Sequence, residues 1–151
     1  MRLPGFDYSR PGFYFLTLLA YQRKPIFGRL QNGEMILSPF GELVMKEWER
    51  LPAIYPNLDI DEIVILPDHI HCLIALNQYA ERKITVPVIV NGWKAWSTKR
   101  GRADNMITSE QVWHRSYDCK VVFREEGLQA IKVYIRNNLE KHINEKKLTW
   151  T

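Results

Sequence analysis

Two histidines interrupt an apolar run in ILPDHIHCLI, residues 65–74, with Ile70 alone between His69 and His71. On an extended strand, residues two apart face the same side. The two imidazoles are therefore expected side by side, with Ile70, Cys72 and Ile74 on the opposite face. Neutral imidazole nitrogens are good ligands, and two of them one strand period apart can bind one metal ion. The pair alone fits surface histidines or hydrogen-bonded core histidines as well. A metal reading needs a third ligand.

The C-terminal segment offers one. At about 100° per residue, Leu128, Ile131, Ile135 and Leu139 form a single stripe. Asn138 falls inside that stripe, as does His142 one turn further on, and Tyr134 lies at its edge, one turn before Asn138. A polar amide within an apolar stripe costs free energy unless something satisfies it. The plain alternative is an Asn bonded to a backbone carbonyl and a Tyr packed by its ring.

Charge adds a partner class. The net charge is +4 with a pI near 9.1. Arg2, Arg10, Arg23, Lys24 and Arg29 stand against Asp7 alone in the first thirty residues. A second cluster, KAWSTKRGR, sets Lys94, Lys99, Arg100 and Arg102 close to Trp93 and Trp96. Cations interleaved with aromatics suit a phosphate backbone with stacked, unpaired bases. A solvated basic face with core tryptophans accounts for the same residues.

The elements that must position these groups can be read from periodicity. FYFLTLLAYQ (13–22) reads as a buried strand, and EMILS (34–38) as a second strand after the turn signal QNG. Ser38 caps a helix with Pro39 at its first position, and the apolar stripe Phe40, Leu43, Val44, Trp48, Leu51 ends before Pro52. Strands follow at 58–66 and 69–76, joined by a Pro67-Asp68 turn. Pro87 opens a second helix, 112–123 is a fifth strand, and 125–146 has helical spacing. The pattern implies an α+β ferredoxin-like sandwich, a mostly antiparallel sheet of about five strands covered by helices. The 151 residues suffice for one domain spanning 1–151. No run of about 18 apolar residues suggests a membrane span, and the N-terminus lacks a signal-peptide pattern. Cys72 and Cys119 read as small buried residues rather than a disulfide framework. A cytoplasmic protein is the expectation.

Taken together, RLPGFDYSRPGFYFLT, ILPDHIHCLI, KAWSTKR, VWHRSYD and YIRNNLEKH, in this order and spacing, resemble the REP-associated tyrosine transposases. These fall within the insertion-sequence 200/605 group of single-tyrosine HUH transposases, and the resemblance runs from about residue 2 to residue 142. It implies that His69 and His71 hold a divalent metal with Ile70 as the bulky residue between them. It further implies that Tyr134 is the nucleophile and that Asn138 completes the metal shell. The implied activity is metal-dependent cutting and rejoining of single-stranded DNA through a 5′-phosphotyrosine, with release of a 3′-hydroxyl. Imidazole chemistry alone would rank zinc, copper or iron first; the resemblance implies magnesium or manganese. The chain departs from relatives at Asp68, where Asn is usual, and at Leu139, where Pro is common.

The resemblance also implies a bacterial cytoplasmic protein acting on single-stranded DNA with a palindromic hairpin, without a nucleotide cofactor or a membrane. The Arg2 to Arg10 segment would help to grip the hairpin and its flanking strand. Lys94, Lys99 and Arg100 are candidates for strand contacts, with Trp93 or Trp96 stacking on a base. Arg115 reads either as a phosphate ligand or as an ion-pair partner of Asp118 or Glu110. His114 and His142 read as structural. Relatives in the broader group form dimers with shared sites and the compact subgroup works as monomers, so a homodimer and a monomer are both open. A non-catalytic hairpin-binding protein derived from the same fold is the alternative function.

Overall fold

The computed structural model describes residues 3–77 and 84–149, with side chains as far as Asn138, so Arg2 and the side chain of His142 lie outside the described residues. Strand β1 (Gly12–Ala20) runs into a short 3-10 turn, Tyr21–Arg23. The hairpin β2 (Gly28–Gln31) and β3 (Glu34–Leu37) follows, then helix α1 (Pro39–Ile54). Next come β4 (Leu58–Ile65), β5 (His69–Leu76), α2 (Val86–Ala103), β6 (Trp113–Val122) and α3 (Glu125–Thr149). The main sheet has the order β4-β5-β1-β6, and each neighbouring pair is antiparallel. With the β2–β3 hairpin set aside, this is the β-α-β-β-α-β order of a ferredoxin-like sandwich.

The main sheet therefore holds four strands rather than about five. The segment expected as a strand at 34–38 does form β3, but it pairs only with β2. The turn between them is Asn32-Gly33, both at positive φ (52° and 79°), as a two-residue hairpin of this twist requires. A second difference is in α1, which continues through Pro52 to Ile54. Proline removes one N–H and crowds the carbonyl four residues back, and here that falls in the last turn, where the helix is about to end. The N-terminus of α1 is as read: Ser38 Oγ accepts from the Gly41 N–H, 3.0 Å.

Alternation along the strands divides the core into two layers. Leu16, Leu18, Ile70, Cys72 and Ile74 pack against Phe40, Val44 and Trp48 of α1 and Ile89, Val90 and Trp93 of α2. On the other face, Phe15 and Leu73 pack against Leu128 and Ile135 of α3, with Phe13, Val64, Val122 and Ile131 beside them. His69 and His71 have the parity of Leu73, so they belong to the α3 layer. Cys72 and Cys119 are free and buried in the opposite layer, and burial pushes the Cys72 thiol well above its ordinary range. Among the described residues, no helix is long and apolar enough to cross a membrane.

Candidate active site

β5 is a central strand, with His69 opposite Leu19 and His71 opposite Thr17 on β1. The imidazole centroids are 5.0 Å apart with ring planes at 82°. The two residues are 9% and 8% exposed, so their polar atoms need partners inside the protein. His69 Nδ1 lies 2.7 Å from Asp68 Oδ1, and Asp68 Oδ2 accepts from Arg23 Nε at 3.0 Å. His71 Nδ1 lies 2.9 Å from Thr17 Oγ1. Both Nδ1 atoms are thus engaged within the fold, which fixes the orientation of each ring.

The hydrogen-bond chemistry places one hydrogen of His69. A carboxylate only accepts, so Nδ1 carries a hydrogen and points it at Asp68. Arg23 Nη2 also approaches Nδ1, at 3.4 Å. That is a contact between two donors, and the shorter carboxylate bond decides. Burial works against ionisation of Asp68, but hydrogen bonds from His69 and Arg23 outweigh it and hold the carboxyl below its usual range. Burial, with the positive charge of His69 and Arg23 nearby, pulls the His71 imidazole down to about 4. His71 is therefore neutral at physiological pH.

Arg23 reaches this position from an unusual backbone. Gln22 and Arg23 both adopt left-handed conformations, φ 54° and 53°, which non-glycine residues rarely occupy. The turn redirects the chain at the end of β1 and brings the guanidinium across to the Pro67-Asp68 turn, 45 residues away in sequence.

Helix α3 is fixed over the histidines by its apolar stripe and by two ion pairs. Lys132 Nζ lies 3.2 Å from Asp61 Oδ2, and Arg136 Nη2 lies 2.6 Å from Glu62 Oε1. Consecutive residues of a regular strand face opposite sides, so Asp61 and Glu62 could not both meet one helix. The pairing of β4 with β5 advances from Ile60–Ile74 to Ile63–Cys72, one extra residue on β4. This bulge turns both carboxylates toward α3, where Lys132 and Arg136 are one turn apart. The Tyr134 ring then sits 5.5 Å from His71 and 6.0 Å from Phe15, edge-on to both. Phe15 itself stacks on His71 at 14° and 5.5 Å. Tyr134 is 40% exposed, whereas Asn138, one turn on, is 6% exposed. Leu128 lies near Phe13 at the start of the helix, so α3 runs toward the His69 end of β5.

The donor set fits a divalent ion held by few protein ligands. Two buried imidazoles and one buried amide, Asn138, supply at most three side-chain donors. Among the described residues, no group of three His, Cys, Asp or Glu side chains gathers to make a closed site. Closed four-ligand sites are structural, whereas open ones leave positions for a substrate.

Residues 53–138, more than half of the chain, match the family described as Transposase IS200 like. The chain belongs to the IS200-like transposase family. An uncharacterized protein of Haemophilus influenzae is 30% identical over 156 residues, covering 91% of this chain and 86% of its own. Two solved structures share the fold. A REP-associated tyrosine transposase bound to a REP hairpin has a TM-score of 0.67 at 15% identity, over 94% of this chain and 73% of that one. A transposase candidate from Deinococcus radiodurans has a TM-score of 0.57 at 18% identity, over 91% and 96%.

On this transposase fold the basic residues do not gather round the histidines. Lys94, Lys99 and Arg100 lie on α2, across the sheet from His69 and His71. Lys94 Nζ donates to the His114 carbonyl at 3.0 Å, Lys99 lies over the Trp96 ring, and Arg100 pairs with Asp104. Trp93 cannot stack on a base, because it is buried and donates Nε1–H to the Val44 carbonyl at 3.1 Å. Trp96 is exposed. Arg10 is exposed beside β1, and Arg115 is exposed on the edge strand β6. His114 Nδ1 accepts from the Ser116 N–H, a local structural bond. Thr17, Phe15 and the Arg23–Asp68 pair were not singled out by the sequence reading. A threonine in phase with Phe13 and Phe15 in an otherwise apolar strand was the one available signal.

Proposed function

We propose that the chain is a metal-dependent single-stranded DNA endonuclease and strand transferase in which Tyr134 is the nucleophile. The observation that carries the reading is the Tyr134 ring against His71, beside two buried imidazoles on one face of β5 whose Nδ1 atoms are engaged by Asp68 and Thr17. In the proposed reaction, Tyr134 Oη attacks phosphorus as it loses its proton, and the bond to the 3′-oxygen breaks. The upstream segment of the cut strand leaves as its 3′-oxygen takes up a proton to become a 3′-hydroxyl, and the downstream segment stays attached as a 5′-phosphotyrosine. A 3′-hydroxyl reverses the step and rejoins DNA without an external energy source.

His69, His71 and Asn138 would hold the metal, magnesium or manganese. The bound ion supplies Lewis-acid polarisation of the phosphate. The chain's own residues do the rest. Asp68 and Thr17 orient the imidazoles, Phe15 supports the His71 ring, and α3 holds the phenol at the site with its edge open to solvent. A hairpin next to the cut strand is the proposed recognition element, supported by the hairpin-bound transposase of the same fold.

The test uses hairpin-bearing single strands taken from the flanks of the chain's own gene, with manganese or magnesium. A covalent protein–DNA adduct that resists denaturing electrophoresis is expected with the wild type and absent with Tyr134→Phe. An adduct of unchanged yield with Tyr134→Phe would overturn the assignment. Tight hairpin binding without adduct under either metal would favour a non-catalytic binding protein.

A further inference from the structure

We propose that the cleft between the N-terminal segment and the start of α3 is a subsite for one unpaired nucleotide of the DNA strand. The inference rests on the reading of the chain as a DNA-binding transposase. It concerns a place on the molecule separate from the histidine pair.

The cleft has a volume of about 360 Å³ and is lined by Phe6, Arg10, Phe13, Phe123, Arg124 and Leu128, among others. That lies within the range of sites that enclose small ligands. Phe123 is 69% exposed, the largest exposure of any large apolar side chain among the described residues. Its ring contact is with Phe6, edge to face at 6.2 Å. Phe6 is held in turn by Tyr8 and Tyr14, so the wall behind Phe123 is a packed aromatic cluster. An exposed phenylalanine on a packed support is costly in water unless a flat partner covers it. A nucleobase is such a partner, and stacking of this kind tolerates any base.

The charge of the cleft suits a nucleotide rather than an apolar ligand. Arg10 and Arg124 are exposed, and neither forms an ion pair among the described residues. One carboxylate also lines the cleft, Glu125, which accepts from Gln129 Nε2 at 2.9 Å. Two guanidinium groups against one engaged carboxylate leave a net positive rim. The amino end of α3 adds little, because Glu125 and Glu126 already neutralise its first turn. The attraction for phosphate therefore rests on the two arginines.

Position links the cleft to the site. Phe13 belongs to the same face of β1 as Phe15 and Thr17, and Phe13 to Thr17 spans about 13 Å at the strand rise. Along α3, Leu128 to Tyr134 spans about 9 Å. A single strand with its phosphate at Tyr134 reaches the cleft within a few nucleotides, along the exposed side of α3.

The experiment measures binding by the full chain, in a Tyr134→Phe background, of a mixed-sequence single strand of about 20 nucleotides and of its blunt duplex. Phe123→Ala is expected to weaken single-strand binding roughly five- to a hundredfold and to leave duplex binding unchanged. Phe123→Trp is expected to restore it. Arg124→Ala is expected to lower the slope of log affinity against log salt by about 0.7, the loss of one phosphate contact on a single strand. Folding is not at stake, because Phe123 and Arg124 are exposed. Unchanged single-strand binding by Phe123→Ala, or an equal loss on the duplex, would overturn the subsite. If Phe123→Ala discriminates while wild type forms no Tyr134 adduct, the subsite stands and the nuclease reading falls; adduct formation with no Phe123 effect gives the reverse.

Discussion

The Asp68 carboxylate accepts the Nδ1 hydrogen of His69 at 2.7 Å, while its other oxygen is held by Arg23. The histidine ring is thereby fixed in orientation, and the carboxylate is turned away from ligand duty by its own partner. A carboxylate behind a metal-binding imidazole raises its basicity and fixes its orientation. Replacing such a partner lowers metal affinity by about 10–100-fold. Asp68→Ala is expected to weaken manganese binding within that range, with Asp68→Asn intermediate because the amide oxygen still accepts. Manganese titration followed by electron paramagnetic resonance checks this on the protein alone. Affinity unchanged in Asp68→Ala would remove the carboxylate from the site.

His71 gives the apo protein a pH dependence. Its imidazole is pulled down to about 4 in the fold, against about 6.5 in an unfolded chain. Between those values the unfolded state binds more protons, so stability falls as pH falls. The penalty starts near pH 6.5, is complete near pH 4, and amounts to at most about 3 kcal/mol. Asp68, whose carboxyl lies below its usual range, contributes stability that is lost only at lower pH, as it titrates through its folded value. Urea unfolding with chelator across pH 4–7 is expected to show the slope in wild type and a flatter profile in His71→Asn. A wild-type profile level over that window would contradict a buried neutral His71.

Much of this arrangement was legible because it rests on local rules. The β5 bounds, the Pro67-Asp68 turn and the Ser38-Pro39 helix start follow from alternation, turn chemistry and capping, and each lies within a few residues of chain. Asn138 was legible as a misfit in an apolar stripe, and it is indeed buried. The Arg23–Asp68–His69 chain was not legible. It depends on two left-handed residues and a contact across 45 positions, neither of which has a periodic signature. Nor was the bulge in β4, since DID in a strand gives no hint of where an extra residue will sit. The QNG turn and β3 of the small hairpin were legible, but its first strand, β2, escaped because GRLQ is short and half polar.

The two tryptophans of the basic cluster should part company. Trp93 follows Ile89 by one helical turn and faces the core, and Trp96 falls outside that phase. Trp93→Ala removes a buried indole and its bond to the Val44 carbonyl, and is expected to cost about 3–5 kcal/mol. Trp96→Ala should change stability by less than about 0.5 kcal/mol. Thermal unfolding of the two variants side by side distinguishes them, and similar losses in both would mean that α2 is rotated from its described phase.

The clamp from β4 to α3 is expected to act on rate rather than stability. Arg136 is exposed, so its pair with Glu62 contributes about 0–1 kcal/mol, and the apolar stripe keeps α3 docked without it. The placement of Tyr134 is another matter, because a shift of about 1 Å at a reacting group can cost about 100-fold. The variant Glu62→Arg is predicted to slow single-turnover adduct formation by about tenfold or more while moving the unfolding midpoint only slightly. Combining it with Arg136→Glu restores the pair in reverse and is expected to recover most of the rate. A merely structural pair would show the opposite pattern, with stability lost and the rate per folded molecule intact. Lys132→Ala, which breaks the neighbouring bond to Asp61, should add to the loss in Glu62→Arg, since the bulge directs both carboxylates at one helix. If both pairs can be removed without slowing the adduct, the apolar contacts of Leu128, Ile131 and Ile135 alone set the position of the phenol.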